Sequence, residues 1–284
     1  MRISSIVAVI FALVPASQVH AQHFFLPAPA NNGWDTDSGE DSNPRHIVDR
    51  YNRVHAVWAS TTDYTGESGN DYDIFYAMFD RTAWTDPVLV NSYGRLDSAS
   101  IEWNPCIGID SNGTLHVAWE SAFPFAGTGN DLDIFYSQNG GGDWSPAQNV
   151  NHFAGTDTPA IATDDDIRPA IAITGGPTVL IAWNSYYPTP GTANLGTDAD
   201  ILYSIRSGGA WIPAQPVNSN AATDSGDDLG VALAVSLGGT FIAVWHTNDD
   251  FNPPLFSVGT DTDIAYSFLP PMGSWSAIEE VTAQ

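Results

Sequence analysis

A unit of about sixty residues recurs four times along this chain, and it limits the possible folds more than any other feature. Each unit contains a first tryptophan, spaced 61, 64 and 62 residues from unit to unit, then the motif Asp-x-Asp-Ile, then a second tryptophan. The recurring positions are Trp58, Trp119, Trp183 and Trp245; Asp71–Ile74, Asp131–Ile134, Asp198–Ile201 and Asp261–Ile264; and Trp84, Trp144, Trp211 and Trp275. Three features in one constant order predict repeats at about 37–96, 97–156, 157–222 and 223–284.

Each unit has the pattern of four β-strands. In the second unit, Pro105–Ile109 alternates as a strand does, and the turn Asp110–Gly113 contains Asn-Gly, which favours a hairpin. The β-formers of Leu115–Trp119 predict the second strand, Asp133–Ser137 the third, and Trp144–Val150 the fourth. No stretch keeps a period of 3.6, so we expect almost no helix.

The repeat predicts an all-β fold, a β-propeller of four-stranded antiparallel blades. A single meander of this size cannot bury both of its faces, whereas radial stacking of several meanders buries them and protects their edges. Residues 22–36 contain Leu26–Asn31, which is similar to a fourth strand. Two arrangements remain open: a compact four-bladed ring, or a fragment that lacks later blades.

The charge pattern excludes some classes of partner. The 284 residues include 27 Asp, 6 Glu, 8 Arg and no Lys, for a formal net charge of −25. Nucleic acids and anionic lipids bind through clustered Lys and Arg, so we expect no nucleic-acid partner and no membrane insertion. A content of 43% apolar and 12% aromatic residues argues against disorder.

Residues 1–21 have the pattern of a secretory signal peptide. Met1-Arg2 is a short positive start, Ile3–Ala16 is mostly apolar and uncharged, and Val19–Ala21 places small residues at the positions that signal peptidase reads. We therefore expect a secreted protein, periplasmic or extracellular, after cleavage near Ala21. The single cysteine, Cys106, cannot form an internal disulfide and fits a buried strand position.

The turns between the third and fourth strands resemble a known repeat. Ser137–Trp144 and Ser204–Trp211 keep the Ser, Gly and Trp of the pattern Ser-x-Asp-x-Gly-x-Thr-Trp; Ser267–Trp275 is one residue longer, and Ala77–Trp84 keeps only the spacing and the Trp. These segments are similar to degenerate Asp-box (BNR) repeats, so the chain resembles the sialidase-like β-propellers. In that family the box is a structural turn remote from the active site, and sialidases usually have six blades.

The acidic residues predict a metal-binding face. In a propeller, the connections from the fourth strand to the next blade and from the second strand to the third open on one face. Four acids lie three residues before the predicted start of each first strand: Asp41, Glu102, Asp166 and Asp228. We expect them to ring the channel mouth as hard oxygen ligands suited to Ca²⁺, with the Asp-x-Asp pairs on the same face. Alternatively, such residues accept hydrogen bonds from their own loops.

Two aromatic residues and two arginines are candidate ligand-binding residues on that face. Trp34 and Trp103 fall in loops beside the acids, where a ring can stack on a sugar. Arg45 and Arg168 lie near the starts of first strands. The resemblance to sialidases implies three substrate-binding arginines, and this face offers only two. A pair of carboxylates, Asp41 or Asp166 with Glu102, leaves hydrolysis of a neutral glycan open.

These patterns favour a secreted binding module that recognises a glycan or protein surface through an acidic, Ca²⁺-binding loop face. Two alternatives remain: a glycoside hydrolase of sialidase-like fold, and a structural or adhesive fragment of a longer surface protein. The sequence singles out no catalytic residue.

Overall fold

The computed structural model describes residues 29–30, 38–66, 68–94, 96–97, 100–125, 128–151, 165–186, 194–250 and 261–281. These residues form β-strands, turns and loops, and no α-helix occurs among them, as the sequence predicted. No helix in this part of the chain has the length and apolar character needed to cross a bilayer. The predicted signal peptide, Trp34 and most of the strand-like segment 22–36 lie outside the described residues.

The strands form four antiparallel sheets in chain order, one for each repeat. The first sheet contains β1 (Asp41–Val48), β2 (Val54–Ser60), β3 (Asp73–Phe79) and β4 (Val88–Leu89). The second contains β5 (Glu102–Ile109), β6 (Leu115–Ser121), β7 (Asp133–Asn139) and β8 (Gln148–Asn149). The third contains β9 (Asp166–Ile173), β10 (Val179–Ser185), β11 (Asp200–Ser207), β12 (Ala210–Trp211) and β13 (Gln215–Pro216). The fourth contains β14 (Asp228–Val235), β15 (Phe241–Thr247), β16 (Asp263–Leu269) and β17 (Glu279–Glu280).

The fourth strand of every sheet is shorter than the sequence predicted. Trp144–Val150 was expected to be one strand, yet only Gln148–Asn149 pairs as β8. Proline has no N–H to donate to a strand ladder, and Pro87, Pro146 and Pro213 precede the short outer strands. The ladder is interrupted at these prolines: β11 pairs with Ala210–Trp211 before Pro213 and with Gln215–Pro216 after it, and Phe79 makes an isolated bridge to Trp84 before Pro87.

The first strands begin earlier than predicted, and each contains a bulge. The four acids open these strands, and the pairing register shifts just after them. The third residue of each first strand has a left-handed backbone: Asn43 (φ 51°), Asn104 (φ 48°), Arg168 (φ 55°) and Gly230 (φ 72°). Glycine and asparagine tolerate this conformation and arginine rarely adopts it, so Arg168 is the exception in the set.

Consecutive sheets pack face to face, with an apolar layer between each pair. The tryptophans of β6, β10 and β15 are fully buried in these layers, each facing the preceding sheet. Burying such a side chain contributes about 1.5–3 kcal/mol. Cys106 is a free, buried cysteine of the layer between the second and third sheets, as expected.

The first strands line a central space, and the array is open between its ends. β1 packs against β5, β5 against β9, and β9 against β14, whereas β1 and β14 do not pack together in this way. On the outer face of the fourth sheet Ile264 is 39% exposed, although the equivalent Ile74, Ile134 and Ile201 are fully buried. The described strands thus form four propeller blades without the closure of a compact ring.

Candidate functional site

A backbone hydrogen bond joins each pair of consecutive sheets at one face of the molecule. The middle residue of Asp-x-Asp offers its carbonyl oxygen to the N–H of the acid that opens the next sheet. The pairs are Tyr72 with Glu102 at 3.1 Å, Leu132 with Asp166 at 2.7 Å, and Ala199 with Asp228 at 2.7 Å. The Asp-x-Asp loops and the opening acids therefore meet on the same face, as the sequence predicted.

An asparagine fixes the second aspartate of the motif at each junction. Asn91 Nδ2 donates to Asp73 Oδ1 at 2.6 Å, while Asn91 Oδ1 accepts the N–H of Ile74 at 3.0 Å. Asn151 donates to Asp133, and Asn218 to Asp200, each at 2.7 Å. The amide therefore holds one carboxylate oxygen of each of the three aspartates in place.

The junction between the first and second sheets gathers three acids. One carboxylate oxygen from each of Asp71, Asp97 and Glu102 lies within 4.8 Å of the other two. Glu102 is 0% exposed; its Oε1 accepts a bond from Ser121 Oγ at 2.5 Å, and its Oε2 has no donor. Asp97 is 3% exposed and has no donor other than the neighbouring carboxyl group of Glu102.

The junction between the third and fourth sheets holds a similar cluster with a different third member. Oxygens of Asp198, Asp200 and Asp224 lie within 4.8 Å of one another. Asp228 opens the next sheet beside them; its Oδ1 accepts the indole N–H of Trp245 at 2.8 Å, and its buried Oδ2 has no donor. The middle junction contains Asp131, Asp133 and Asp166, and its connection, 152–164, lies outside the described residues.

The ionised carboxylate is unfavourable for acids of both clusters and for Asp73, which lies beside the first. Burial, with a contribution from neighbouring carboxylates, raises the pKa of Asp73 and of Asp200 to about 8, against the opposing effect of their asparagines. Burial and the charge of Asp71 raise the pKa of Asp97 to about 6. Burial and the charge of Asp97 raise the pKa of Glu102 well above its ordinary value. Groups of this kind can hold a metal ion, whose charge would favour the ionised form.

Three of the four acids predicted as metal ligands share a structural role, and the four have unequal places in the clusters. Asp41, Asp166 and Asp228 accept the indole N–H of the tryptophan in their own sheet, at 3.1, 2.8 and 2.8 Å. In the second sheet the Tyr93 hydroxyl accepts the Trp119 indole at 2.9 Å. Glu102 is the one predicted ligand that belongs to a three-acid cluster among the described residues.

Sequence reasoning did not single out Asp97 and Asp224, which complete the two clusters. A signal was present, because Asp97 follows Asp71 by 26 residues and Asp224 follows Asp198 by the same interval. Both residues lie in connections whose path a strand pattern does not specify.

A central cavity of about 500 Å³ lies between the four first strands. Arg45 and Arg168 both line it, so the structure brings the two predicted ligand-binding arginines to one site. The positions equivalent to Arg45 in the other first strands hold Cys106, Ala170 and Ala232, which also line the cavity. No carboxylate belongs to its described lining.

Glu120 lies behind the cavity wall and holds it in shape. Its Oε2 accepts the backbone N–H of Arg168 at 2.6 Å, and its Oε1 accepts Nδ2 of Asn104 at 2.8 Å. Burial raises the pKa of Glu120 even though these two donors lower it. Burial likewise raises the pKa of the Cys106 thiol to about 12 against the opposing charge of Arg45, so this thiol is not a reactive thiolate.

Trp103 is separate from the arginines. It is half-buried beside the first acidic cluster, and its ring meets Tyr72 edge to face with the centroids 5.2 Å apart. It does not line the cavity, so the predicted ligand-binding residues do not form one site. Trp34 lies outside the described residues.

Comparisons with known proteins find similarity of fold. No protein-family model matches the sequence, and no curated protein matches it. A protein of unknown function from Dyadobacter fermentans has a TM-score of 0.54 and 14% identity over 87% of this chain and 70% of its own. A polysaccharide lyase, an ulvan lyase bound to -[GlcA(1-4)Rha3S]-, has a TM-score of 0.54 and 12% identity over 88% and 61% of the two chains. A Hadza microbial sialidase has a TM-score of 0.51 and 12% identity over 84% and 46%.

The chain thus spans between 46% and 70% of the length of these three structures. At such low identities the likeness is one of fold. It agrees with the four stacked sheets described above and with the resemblance seen in the sequence. This chain has the fold of a sialidase-like β-propeller.

Proposed function

We propose that the chain is a secreted carbohydrate-binding propeller that takes an anionic group of an acidic saccharide into its central cavity. The observation that carries this proposal is the presence of Arg45 and Arg168 in one cavity whose described lining contains no carboxylate. A guanidinium group binds carboxylate or sulfate through two parallel hydrogen bonds, and it keeps its charge at every physiological pH.

Two similar structures support a saccharide as the ligand class. One is a sialidase, and the other is an ulvan lyase bound to -[GlcA(1-4)Rha3S]-. The binding residues of those two proteins cannot be assigned to positions in this chain, because each is only 12% identical to it. The saccharide assignment therefore rests on the cavity of this chain together with the fold.

The cavity favours binding over hydrolysis. Glycoside hydrolysis commonly needs two carboxyl groups that flank the scissile bond. The pair considered from sequence, Asp41 or Asp166 with Glu102, is not in the described cavity lining, and Asp41 and Asp166 accept tryptophan indoles. Glu120 has both oxygens occupied by Asn104 and Arg168.

We propose in addition that Ca²⁺ binds to the acidic face and strengthens saccharide binding. The chain carries a net charge of −25, which would repel an anionic saccharide from the acidic face. Ca²⁺ bound among the clustered carboxylates would neutralise part of this field and leave the arginines to attract the ligand. We therefore expect saccharide binding to strengthen when Ca²⁺ is added.

A panel of oligosaccharides tests the proposal. Uronate- or sulfate-containing oligosaccharides should bind to the chain in Ca²⁺ buffer, and their neutral counterparts should not. Arg45→Gln and Arg168→Asn should each weaken binding at least about tenfold, the scale of one charge-assisted hydrogen bond. Arg81→Gln is the matched control, since it removes an exposed arginine from the turn after β3. Equal binding of neutral sugars would refute the anionic site, and shortened products in mass spectra would identify a hydrolase or lyase.

A further inference from the structure

We infer that two junctions between successive sheets are Ca²⁺ sites, which share the first aspartate of the Asp-x-Asp motif and an acid of the connection between blades and differ in the third ligand. The first site consists of Asp71, Asp97 and Glu102, and the second of Asp198, Asp200 and Asp224. This inference gives a location to the calcium binding proposed above, and it does not depend on any saccharide.

Buried carboxylate oxygens without donors indicate a place where a cation would bind. In the first site Oδ1 of Asp71 and Oε2 of Glu102 receive no donor, and the one side chain that interacts with Asp97 is the carboxyl group of Glu102. In the second, Oδ2 of Asp198 has no hydrogen-bond partner, and Asp224 is approached by the Asn218 side chain and by its own backbone N–H without a well-formed hydrogen bond. A buried carboxylate that lacks a donor is costly, and a cation bound between several of them removes that cost.

The spacing and chemistry of the ligands suit calcium. Two oxygens that each lie about 2.4 Å from one Ca²⁺ ion can be at most about 4.8 Å apart. The three oxygens of each site meet this limit as they stand. All the ligands are carboxylates, with no imidazole or thiolate in either cluster, which favours Ca²⁺ over zinc or copper.

The ligands of each site come from two consecutive sheets or from the connection between them. Asp71 precedes β3 in the first sheet, Glu102 opens β5 in the second, and Asp97 lies on the connection that joins them. Asp198 precedes β11 of the third sheet, Asp200 opens that strand, and Asp224 lies on the connection that leads to β14. An ion at the first site therefore ties one blade directly to the next, and an ion at the second ties the third blade to the connection that leads to the fourth.

Removal of one carboxylate should change the melting temperature in opposite directions with and without Ca²⁺. In EDTA, Asp97→Asn should raise the melting temperature of the whole chain, because it relieves repulsion among buried carboxylates. In Ca²⁺, the same variant should melt below the unmodified chain, because it has lost a ligand. Asp224→Asn should behave in the same way at the second site. A purely structural aspartate would lower the melting temperature equally in both buffers, and that result would overturn the inference.

Ion stoichiometry provides a second and independent readout. Equilibrium dialysis with Ca²⁺ alone should find at least two tightly bound ions per unmodified chain, one fewer in each single variant and two fewer in the double variant. Asp143→Asn, an exposed aspartate in the turn after β7, should lose none. If a variant does not fold, the number of ions bound to the unmodified chain is the test, and fewer than two bound ions would overturn the inference. Because no saccharide is present, failure here is distinct from failure of saccharide binding.

Discussion

The backbone N–H of Arg168 donates a 2.6 Å hydrogen bond to Oε2 of Glu120 in the preceding sheet. The same contact recurs one junction later, where the N–H of Gly230 donates to Oδ1 of Asn184 at 3.2 Å. In both cases a side chain at the end of a second strand satisfies the N–H that a bulge leaves out of the strand ladder. The bulge is therefore supported from outside its own sheet.

Two substitutions of Glu120 distinguish the contribution of its charge to stability from the contribution of its hydrogen-bond acceptors. Glu120→Ala leaves the N–H of Arg168 and the amide of Asn104 without a partner, so we expect a loss of about 2–4 kcal/mol in the free energy of unfolding. Glu120→Gln should lose about 1 kcal/mol, because its amide oxygen can still accept the bond from Arg168 as Asn184 does from Gly230. Urea denaturation measures both values. Equal losses in the two variants would show that the charge matters and the acceptor does not.

Arg168→Asn should stabilise the fold. Arginine is strained in the left-handed conformation that Asn104 and Gly230 adopt at the equivalent positions, so we expect a gain of about 0.5–1 kcal/mol in the free energy of unfolding. Arg45→Gln, at a position without this strain, should change stability little. A loss of stability in Arg168→Asn would mean that the arginine side chain makes contacts that offset its backbone cost.

His116 should make the stability of the chain depend on pH. Burial lowers its pKa from 6.5, against the effect of Asp110 and with the help of Arg206, while Nδ1 lies 2.6 Å from the Tyr136 hydroxyl. At a pH between the folded-state pKa and 6.5, His116 therefore binds a proton in the unfolded chain and not in the folded chain. Its contribution to stability is fully present above pH 6.5 and is lost as the pH falls below 6.5 toward the folded-state pKa.

His116→Leu, which copies Leu180 of the third sheet, tests this dependence. The difference in the free energy of unfolding between the unmodified chain and the variant should shrink as the pH falls from about 8 to about 5. The comparison cancels the titration of carboxylates common to both proteins. A difference that stays constant over this range would contradict the prediction.

Gly226→Ala should destabilise the chain through a backbone clash. A Cβ at Gly226 would lie 2.5 Å from the backbone nitrogen of Asp249, and the equivalent Gly39 approaches Thr62 as closely. We expect a loss of about 1–3 kcal/mol in the free energy of unfolding. Gly140→Ala is the control, because a Cβ there meets no atom within 4 Å. Similar urea midpoints for the two variants would show that the loop moves aside.

The blades could be predicted from the sequence because their signals are local. The pattern around Trp119 and Asp133-Ile134 specifies strands, hairpin turns and a buried face within one unit, and the structure confirms these elements. Four copies of the pattern implied stacking, which the buried layers also confirm. The extent of the fourth strands was wrong, because a strand pattern does not account for the missing N–H of a proline such as Pro146.

The candidate sites could be predicted only in part because they form between units. Arg45 and Arg168 were predicted to share a face, but their common cavity depends on how four strands stack around one axis. Asp97 was not predicted as a ligand, because its place beside Glu102 depends on the path of the connection between blades. Trp103 was grouped with the arginines from its position in a loop, and the structure places it against Tyr72 instead.

The bulge shared by the four first strands has a consequence for how this cavity could diversify. The cavity wall contains residues from the third position of the first strands, such as Arg168, and from the fifth, such as Arg45. The backbone at the third position favours Asn or Gly and holds Arg168 at a cost in strain, so exchanges there need no change in the buried layers. Substitutions at this position can therefore change the specificity of the cavity one side chain at a time, and each blade can change independently of the others.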